Sequence, residues 1–466
     1  MRSAGRIHPL EAINPLDGRY RERLDDIAPY LSEYSLIKRR LGVEVIYLES
    51  LLEADQKIVS SLPADWRDRV GRILSDFSLE DAEEVKAIEK SIGHDVVAVM
   101  EYLAGKLEKG GLGHLKRYVH LGLTSEDINN IAYTTILRDF IREIYIKEMV
   151  DLVGRLMAIA EEHRDTPMLA RTHGQPAVPT TFGRFIANYA YRLSRLALKM
   201  SKDEWFGKLG GPVGDLGSLT IAYPEIDWLE FQRKMLSKLG LKHFPANTQI
   251  LPYENLAEPL SRIISTSAIL SNMARDFWLL GMLGLVRFER RSGTFHSSTM
   301  PQKSNPLVLE NAEGALDLAA EMLSHLFKRL IRSRLHRDLS DSILRRFCAP
   351  ALATALLGLR SLKESLVMIA VNRDGMLDEL NNHPEVWAEK IQVMLRRHGV
   401  PHGYELAREA SVRGFEWLLE KLEGLGLEPA LIKAVLDNSP ETYLRGAKKM
   451  TDELLAGTRD NLEAIG

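Results

Sequence analysis

One helical stretch constrains this chain more than any other feature. Thr124-Ser125-Glu126-Asp127 offers the hydroxyls and acids of a helix start, and no proline follows until Pro167. Within that stretch Ile146, Met149, Val150, Val153, Leu156, Met157 and Ala160 keep the i, i+3, i+4, i+7 spacing of one apolar stripe. The predicted helix is about forty residues long, far above the usual length. Four more long patterns cover approximately Pro179 to Trp205, Asn255 to Arg287, Pro306 to His336 and Cys348 to Val371. Strand signals are almost absent. Helices of this length predict an extended bundle, and such bundles commonly bury their remaining apolar faces against other copies.

The flanking regions read differently. Before residue 120 the helices are shorter and are broken by Pro63 and by Gly110-Gly111-Leu112-Gly113. After Asn372 they are short again, with breaks at Pro384, Gly399-Val400-Pro401 and Gly424-Leu425-Gly426. The expected fold is therefore all-α, in three helical domains at 1–120, 121–371 and 372–466, the central one a long-helix bundle. A chain of 466 residues is too long for one ordinary core, which agrees.

Charge narrows the partners. With 61 Lys and Arg against 64 Asp and Glu, the net charge is −3, and no long run of one sign occurs. Nucleic-acid and membrane-surface binding have little support, so a basic pocket must come from locally gathered Arg and Lys. The single Cys348 excludes an internal disulfide and any Cys-rich metal site. The 13 histidines are scattered; Gly399 and Pro401 break the helical geometry between the one close pair, His398 and His402. No dinucleotide or Walker-type fingerprint is present, so no metal and no cofactor are expected. No uninterrupted apolar run approaches a membrane span and the N-terminus leads into no apolar signal core, making a reducing cytoplasm the default location.

The chemistry lies in the loops between the long helices. Ser297-Ser298-Thr299-Met300-Pro301-Gln302-Lys303-Ser304-Asn305-Pro306 joins hydroxyls, a cation and a carboxamide on a segment that cannot be continuous helix. It suits a flap over an anion, or else a plain interhelical loop. His173, between Thr172 and Gly174, is placed to act as acid or base, or to serve structurally. Thr124 and Ser125 can cap the long helix, bind an anion at its N-terminus, or do both. Arg334 to Arg346 interleaves Arg with Ser and Asp, which fits bidentate anion binding and fits a salt-bridged helix end equally. Asn14-Pro15-Leu16-Asp17-Gly18-Arg19-Tyr20 is a turn presenting Arg and Tyr together.

Taken together, these segments resemble the fumarase/aspartase superfamily of lyases across essentially the whole chain. Ser297 to Pro306 is similar to its signature loop; Thr172 to Pro176 and Gly122 to Asp127 resemble its other shared regions. Asp17 to Tyr20, His94-Asp95, Thr248-Gln249 and Arg337 to Ser342 resemble the adenylosuccinate lyase family within it. The resemblance implies a homotetramer with active sites shared between subunits, acting without a cofactor. It implies cleavage of adenylosuccinate to AMP and fumarate, and of the succinylated carboxamide ribotide (SAICAR) of purine synthesis. By the same resemblance Ser297 matches the base, His173 the acid, and Glu310 the carboxylate partner of the His. Lys303 and Asn305 match groups that stabilise the carbanion. Arg19, Tyr20, Arg337, Ser342 and Arg345 match nucleotide-binding positions, chiefly for the phosphate. Thr124, Ser125, Gln249, Ser298, Lys303 and Asn305 match positions that hold the succinyl carboxylates. His94, Asp95 and Asn311 match other binding positions. His296 stands where the loop usually has Gly, and Gly93 stands where these enzymes usually carry a larger polar residue.

Overall fold

The computed structural model describes residues 8–289 and 299–465. The chain is mostly helical, as expected. The predicted forty-residue helix runs from Ser125 to Glu162, passing through one π-helical turn at Ile141–Tyr145. The other long patterns become helices Phe182–Ser201, Glu254–Met282, Leu307–Leu330 and Cys348–Leu366.

Among the described residues three two-stranded ladders interrupt the helices, where strand signals are almost absent from the sequence. Pro167–Thr172 (β1) and Gln175–Thr181 (β2) pair antiparallel, as do Val286–Phe288 and Ile369–Val371. Phe206–Gly207 and Lys242–His243 pair parallel. Two of these ladders begin just past a helix end, so apolar residues there continue the helical pattern while bonding sideways. This is why the patterns read to Arg287 and Val371 ran past helix ends at Met282 and Leu366.

By packing, the chain divides into two compact units. The first comprises Met1–Lys147, Lys199–Ala268 and Gly314–Leu359. In it helix Glu33–Ala54 packs along Ser125–Phe140, with Leu36, Ala132 and Ile136 at the contact. The helical stretch Ser340–Leu366 is long and apolar enough in composition to cross a membrane, which the sequence reading did not register. Within this unit it behaves as a core element, with Ala351, Leu352, Ala355, Leu356 and Leu359 buried.

The second unit comprises Glu148–Leu198, Ile269–Glu313 and Arg360–Gly466. Its C-terminal helices enclose a cluster that includes Leu380, Val386, Trp387, Ile391, Leu395, Leu418 and Leu422. Leu169 of β1 is part of that cluster, and Arg171 pairs with Glu379, so the β1–β2 hairpin is fastened to this core at its base.

Candidate functional site

In the first unit the start of the long helix is a junction. Thr124 is the N-cap, with extended backbone, and its amide donates to Asp127 Oδ2 at 2.9 Å. Asp127 is fully buried and does much more than cap. Its carboxylate also accepts from the amides of Gly210 (2.8 Å) and Gly211 (3.0 Å) and lies 2.8 Å from Lys208 Nζ, itself wholly buried. The glycine-rich turn 210–217 is thereby tied to the helix start. Gly214 has φ 96°, and a Cβ there would lie 2.7 Å from Asn247 Oδ1 and 2.8 Å from the Thr248 carbonyl, so no larger residue fits.

The adjoining loop closes the circuit. Gln249 Nε2 donates to the Pro212 carbonyl (2.9 Å) and Thr248 Oγ1 to the His336 carbonyl (2.8 Å). Thr124, Ser125, Gln249 and the segment beginning at His336 therefore belong to one hydrogen-bonded group of loops.

Glu126 carries the next link, which the sequence reading missed. Its carboxylate is 1% exposed and grips Arg345 with both oxygens, at 2.7 and 3.1 Å. Arg337 Nη1 donates to the same carboxylate at 2.7 Å. Asp341 adds contacts of 3.1 Å to Arg345 and 3.5 Å to Arg337, and it accepts from the Tyr253 hydroxyl. The Arg345 guanidinium also lies over the rings of Tyr133 (4.8 Å) and Tyr253 (5.6 Å). Burial opposes the charge on Arg345, but Glu126 and the other anionic neighbours more than offset it and hold the group protonated. Burial, together with Glu126 and Asp341, pushes the Tyr253 phenol well above its ordinary range against the pull of Arg345. The salt-bridged reading describes the cluster as it stands: Arg345 is an internal ion pair, and Arg337 shares the same carboxylates while keeping a partly exposed side chain. Ser342 sits half-buried in the short helix Ser340–Arg346.

Four remaining residues of this unit have different settings. His94 caps helix Asp95–Lys109, its Nδ1 accepting from the Val97 amide at 3.4 Å. Asp95 lies 2.8 Å from Arg40 and 3.1 Å from Arg346. Burial alone would raise its carboxyl; Arg40, the Val96 amide and Arg346 reverse this and hold it below the usual carboxylate range. Arg19 is exposed beside Tyr20, its guanidinium 5.9 Å from the ring, on the turn built by Asn14. The Leu16 amide donates to Asn14 Oδ1 at 3.0 Å, an Asx turn, as the sequence led one to expect.

The second unit holds His173, the expected acid. His173 and Gly174 are the two central residues of the hairpin, between paired Thr172 and Gln175. Both have positive φ, 55° and 73°, as a type I′ turn requires. Glycine takes that conformation freely; for His173 it costs about 1–2 kcal/mol. The hairpin thus holds an exposed imidazole at its tip in a strained backbone, a pattern that clusters at functional positions.

Lys303 lies exposed in the turn closed by its own amide and the Met300 carbonyl, 3.0 Å away. Ser304 Oγ donates to the Phe288 carbonyl at 2.9 Å, fixing the loop where it leads through Asn305 and Pro306 into helix Leu307–Leu330. Glu310 and Asn311 are exposed in the first turns of that helix. Glu310 Oε1 accepts from the Trp278 indole at 3.1 Å, leaving its second oxygen for another donor. Ser297, Ser298 and His296 lie outside the described residues.

Comparison with known proteins gives a consistent result. Residues 18–318 match the family described as "Lyase", and residues 333–443 match that described as "Adenylosuccinate lyase C-terminal". The chain is 37% identical over 461 residues to adenylosuccinate lyase of Escherichia coli K12, covering 96% of this chain and 99% of that one. It is 34% identical to the Haemophilus influenzae enzyme and 35% to that of Vibrio cholerae, again over 96% of this chain and 99–100% of the relative. In fold it is similar to a fumarate lyase from Mesorhizobium sp. BNC1 (TM-score 0.75, 22% identity, 93% of this chain and 98% of that one). It is also similar to β-carboxy-cis,cis-muconate cycloisomerase from Acinetobacter calcoaceticus (TM-score 0.71, 18% identity, 93% and 97%).

Proposed function

The chain belongs to the adenylosuccinate lyase family, and from that premise we propose that it cleaves adenylosuccinate to AMP and fumarate with Ser297 as base and His173 as acid. It is a carbon–nitrogen lyase. The observation that carries this reading is the match to both family domains along nearly the whole chain; the departures at Gly93 and His296 remove none of the proposed proton-transfer residues.

The reaction is a β-elimination. A base removes a proton next to a carboxylate, and an acid protonates the departing nitrogen. Ser297 needs help to act as a base; Lys303 and loop amides that favour its alkoxide would give it. Lys303 and Asn305 stabilise the carbanion that forms on the succinyl part. His173 at the hairpin tip supplies the proton, and the second oxygen of Glu310 steadies its imidazolium. Thr124, Ser125, Gln249 and Ser298 hold the succinyl carboxylates. Arg19, Tyr20, Arg337 and Ser342 take the nucleotide, chiefly its phosphate, with Arg345 behind them. His94, Asp95 and Asn311 complete the binding positions. SAICAR, which likewise carries a succinyl group on nitrogen, is a second substrate. Neither reaction calls on a metal or cofactor.

We further read the chain as three helical domains, 1–120, 121–371 and 372–466, that assemble as a cytoplasmic homotetramer with active sites shared between subunits. The exposed apolar side chains Trp278, Leu279, Met282 and Leu318 on the long helices support such assembly.

The test is a spectrophotometric assay of the purified protein on adenylosuccinate, with argininosuccinate in parallel. Fumarate and AMP are expected from the first substrate and nothing from the second. No turnover of adenylosuccinate by a folded oligomer would overturn the reading.

A further inference from the structure

Glu126 has no place in the elimination chemistry, yet its buried carboxylate is committed to two arginines. Three of the hydrogen bonds it accepts come from Arg337 and Arg345. Those two arginines lie more than two hundred residues away along the chain, so the contact is a product of the fold rather than of local sequence. A guanidinium carries five N–H donors in a rigid fork. Arg345 spends Nη1 and Nη2 on Glu126 and Asp341, keeps only a buried Nε unpaired, lies over the rings of Tyr133 and Tyr253, and is 4% exposed. Arg337 engages Glu126 closely through Nη1 but Asp341 only at 3.5 Å, and its side chain keeps 14% exposure. Of the two, Arg337 retains the donors and the access that a ligand would need.

We propose that Glu126 is a positioning residue for phosphate recognition: it clamps Arg337 against the immobile Arg345 so that the free edge of Arg337 is presented to the 5′-phosphate of the substrate. This rests on the lyase reading above and adds to it a residue that touches no substrate. Glu126 also sits two residues beyond the helix cap Thr124, so the same helical turn that would hold the succinyl end orients the guanidinium for the phosphate end. The distance between the two recognition points is then set by one rigid element. A fixed donor pays less ordering entropy on binding than a free arginine side chain does.

The test compares wild type, Glu126→Gln and Glu126→Asp on adenylosuccinate and on its phosphate-free nucleoside, with AMP as product inhibitor. In Glu126→Gln the KM for adenylosuccinate should rise about tenfold or more, and AMP inhibition should weaken by a similar factor. The KM for the nucleoside should stay within about twofold and kcat within about threefold. Glu126→Asp, which keeps the charge on a shorter arm, should fall between. Equal shifts for nucleotide and nucleoside, or no shift in a folded Glu126→Gln, would overturn the proposal. If Glu126→Gln does not fold, Glu126→Asp decides: a phosphate-selective rise in KM supports the clamp and an unchanged ratio overturns it. Wild type inactive on adenylosuccinate would instead sink the lyase reading itself.

Discussion

Asp127 and Lys208 form an ion pair of 2.8 Å in which neither side chain has any solvent exposure. The carboxylate is satisfied on every side: three backbone amides and one ammonium meet it. Removing one partner of such a pair strands the other charge in a medium that cannot solvate it. Asp127→Ala should therefore cost about 3–5 kcal/mol, measured by urea denaturation. Asp127→Ala combined with Lys208→Met should recover part of that loss. A single variant as stable as wild type would mean that the pair contributes little.

Ser297→Ala and His173→Ala should each reduce kcat by at least about 10²–10⁴-fold, the usual worth of a positioned proton-transfer group. Oligomeric state and circular dichroism should be unchanged. A native assembly with undiminished turnover in either variant would remove that residue from the mechanism.

Arg19 is exposed on its turn, which makes its contribution one of binding. Arg19→Ala should raise KM by about 10–100-fold, the value of one or two charge-assisted hydrogen bonds, and should leave kcat nearly unchanged. If saturating turnover falls instead, the phosphate assignment is wrong.

Asp203 provides a pH signature. Burial, with a smaller push from Glu258, raises its carboxyl to about 6 despite Arg262 3.0 Å away. The unfolded value is about 3.9, so between these limits the folded protein holds the extra proton. Stability contributed by that proton is present at low pH and is lost as pH rises through about 6. Relative to Asp203→Asn, wild type should lose about 1–2 kcal/mol between pH 4.5 and 7.5. Urea midpoints at the two pH values measure it; a gap that is constant, or that moves the other way, contradicts the burial argument.

Much of the architecture could be read from the sequence because helical periodicity is a local signal. The helix beginning at Ser125 starts where Thr124 and Asp127 announce it. The hairpin was hidden because Pro167, Pro176 and Pro179 argue against a strand, although Pro176 and Pro179 are accommodated within a two-stranded ladder. Arg19 with Tyr20, His173, Thr124 and the Arg337–Arg345 cluster stand out as candidates by residue type alone. What could not be read is how the charges are spent. Glu126 meets Arg345 across 219 residues, and Glu310 meets Trp278 across 32. Pairing at such separations depends on the fold, and no periodicity or spacing announces it.

The two-residue turn at His173 and Gly174 also limits how this protein can change. Because strand side chains alternate between faces, adding or deleting one residue in so short a connection would slip the register and send the imidazole to the opposite side of the hairpin. The base of the hairpin cannot drift to compensate, since Leu169 is embedded in the C-terminal core. Length variation among relatives should therefore collect elsewhere in the chain and spare residues 167–181, a pattern that reflects backbone geometry before any selection on the histidine itself.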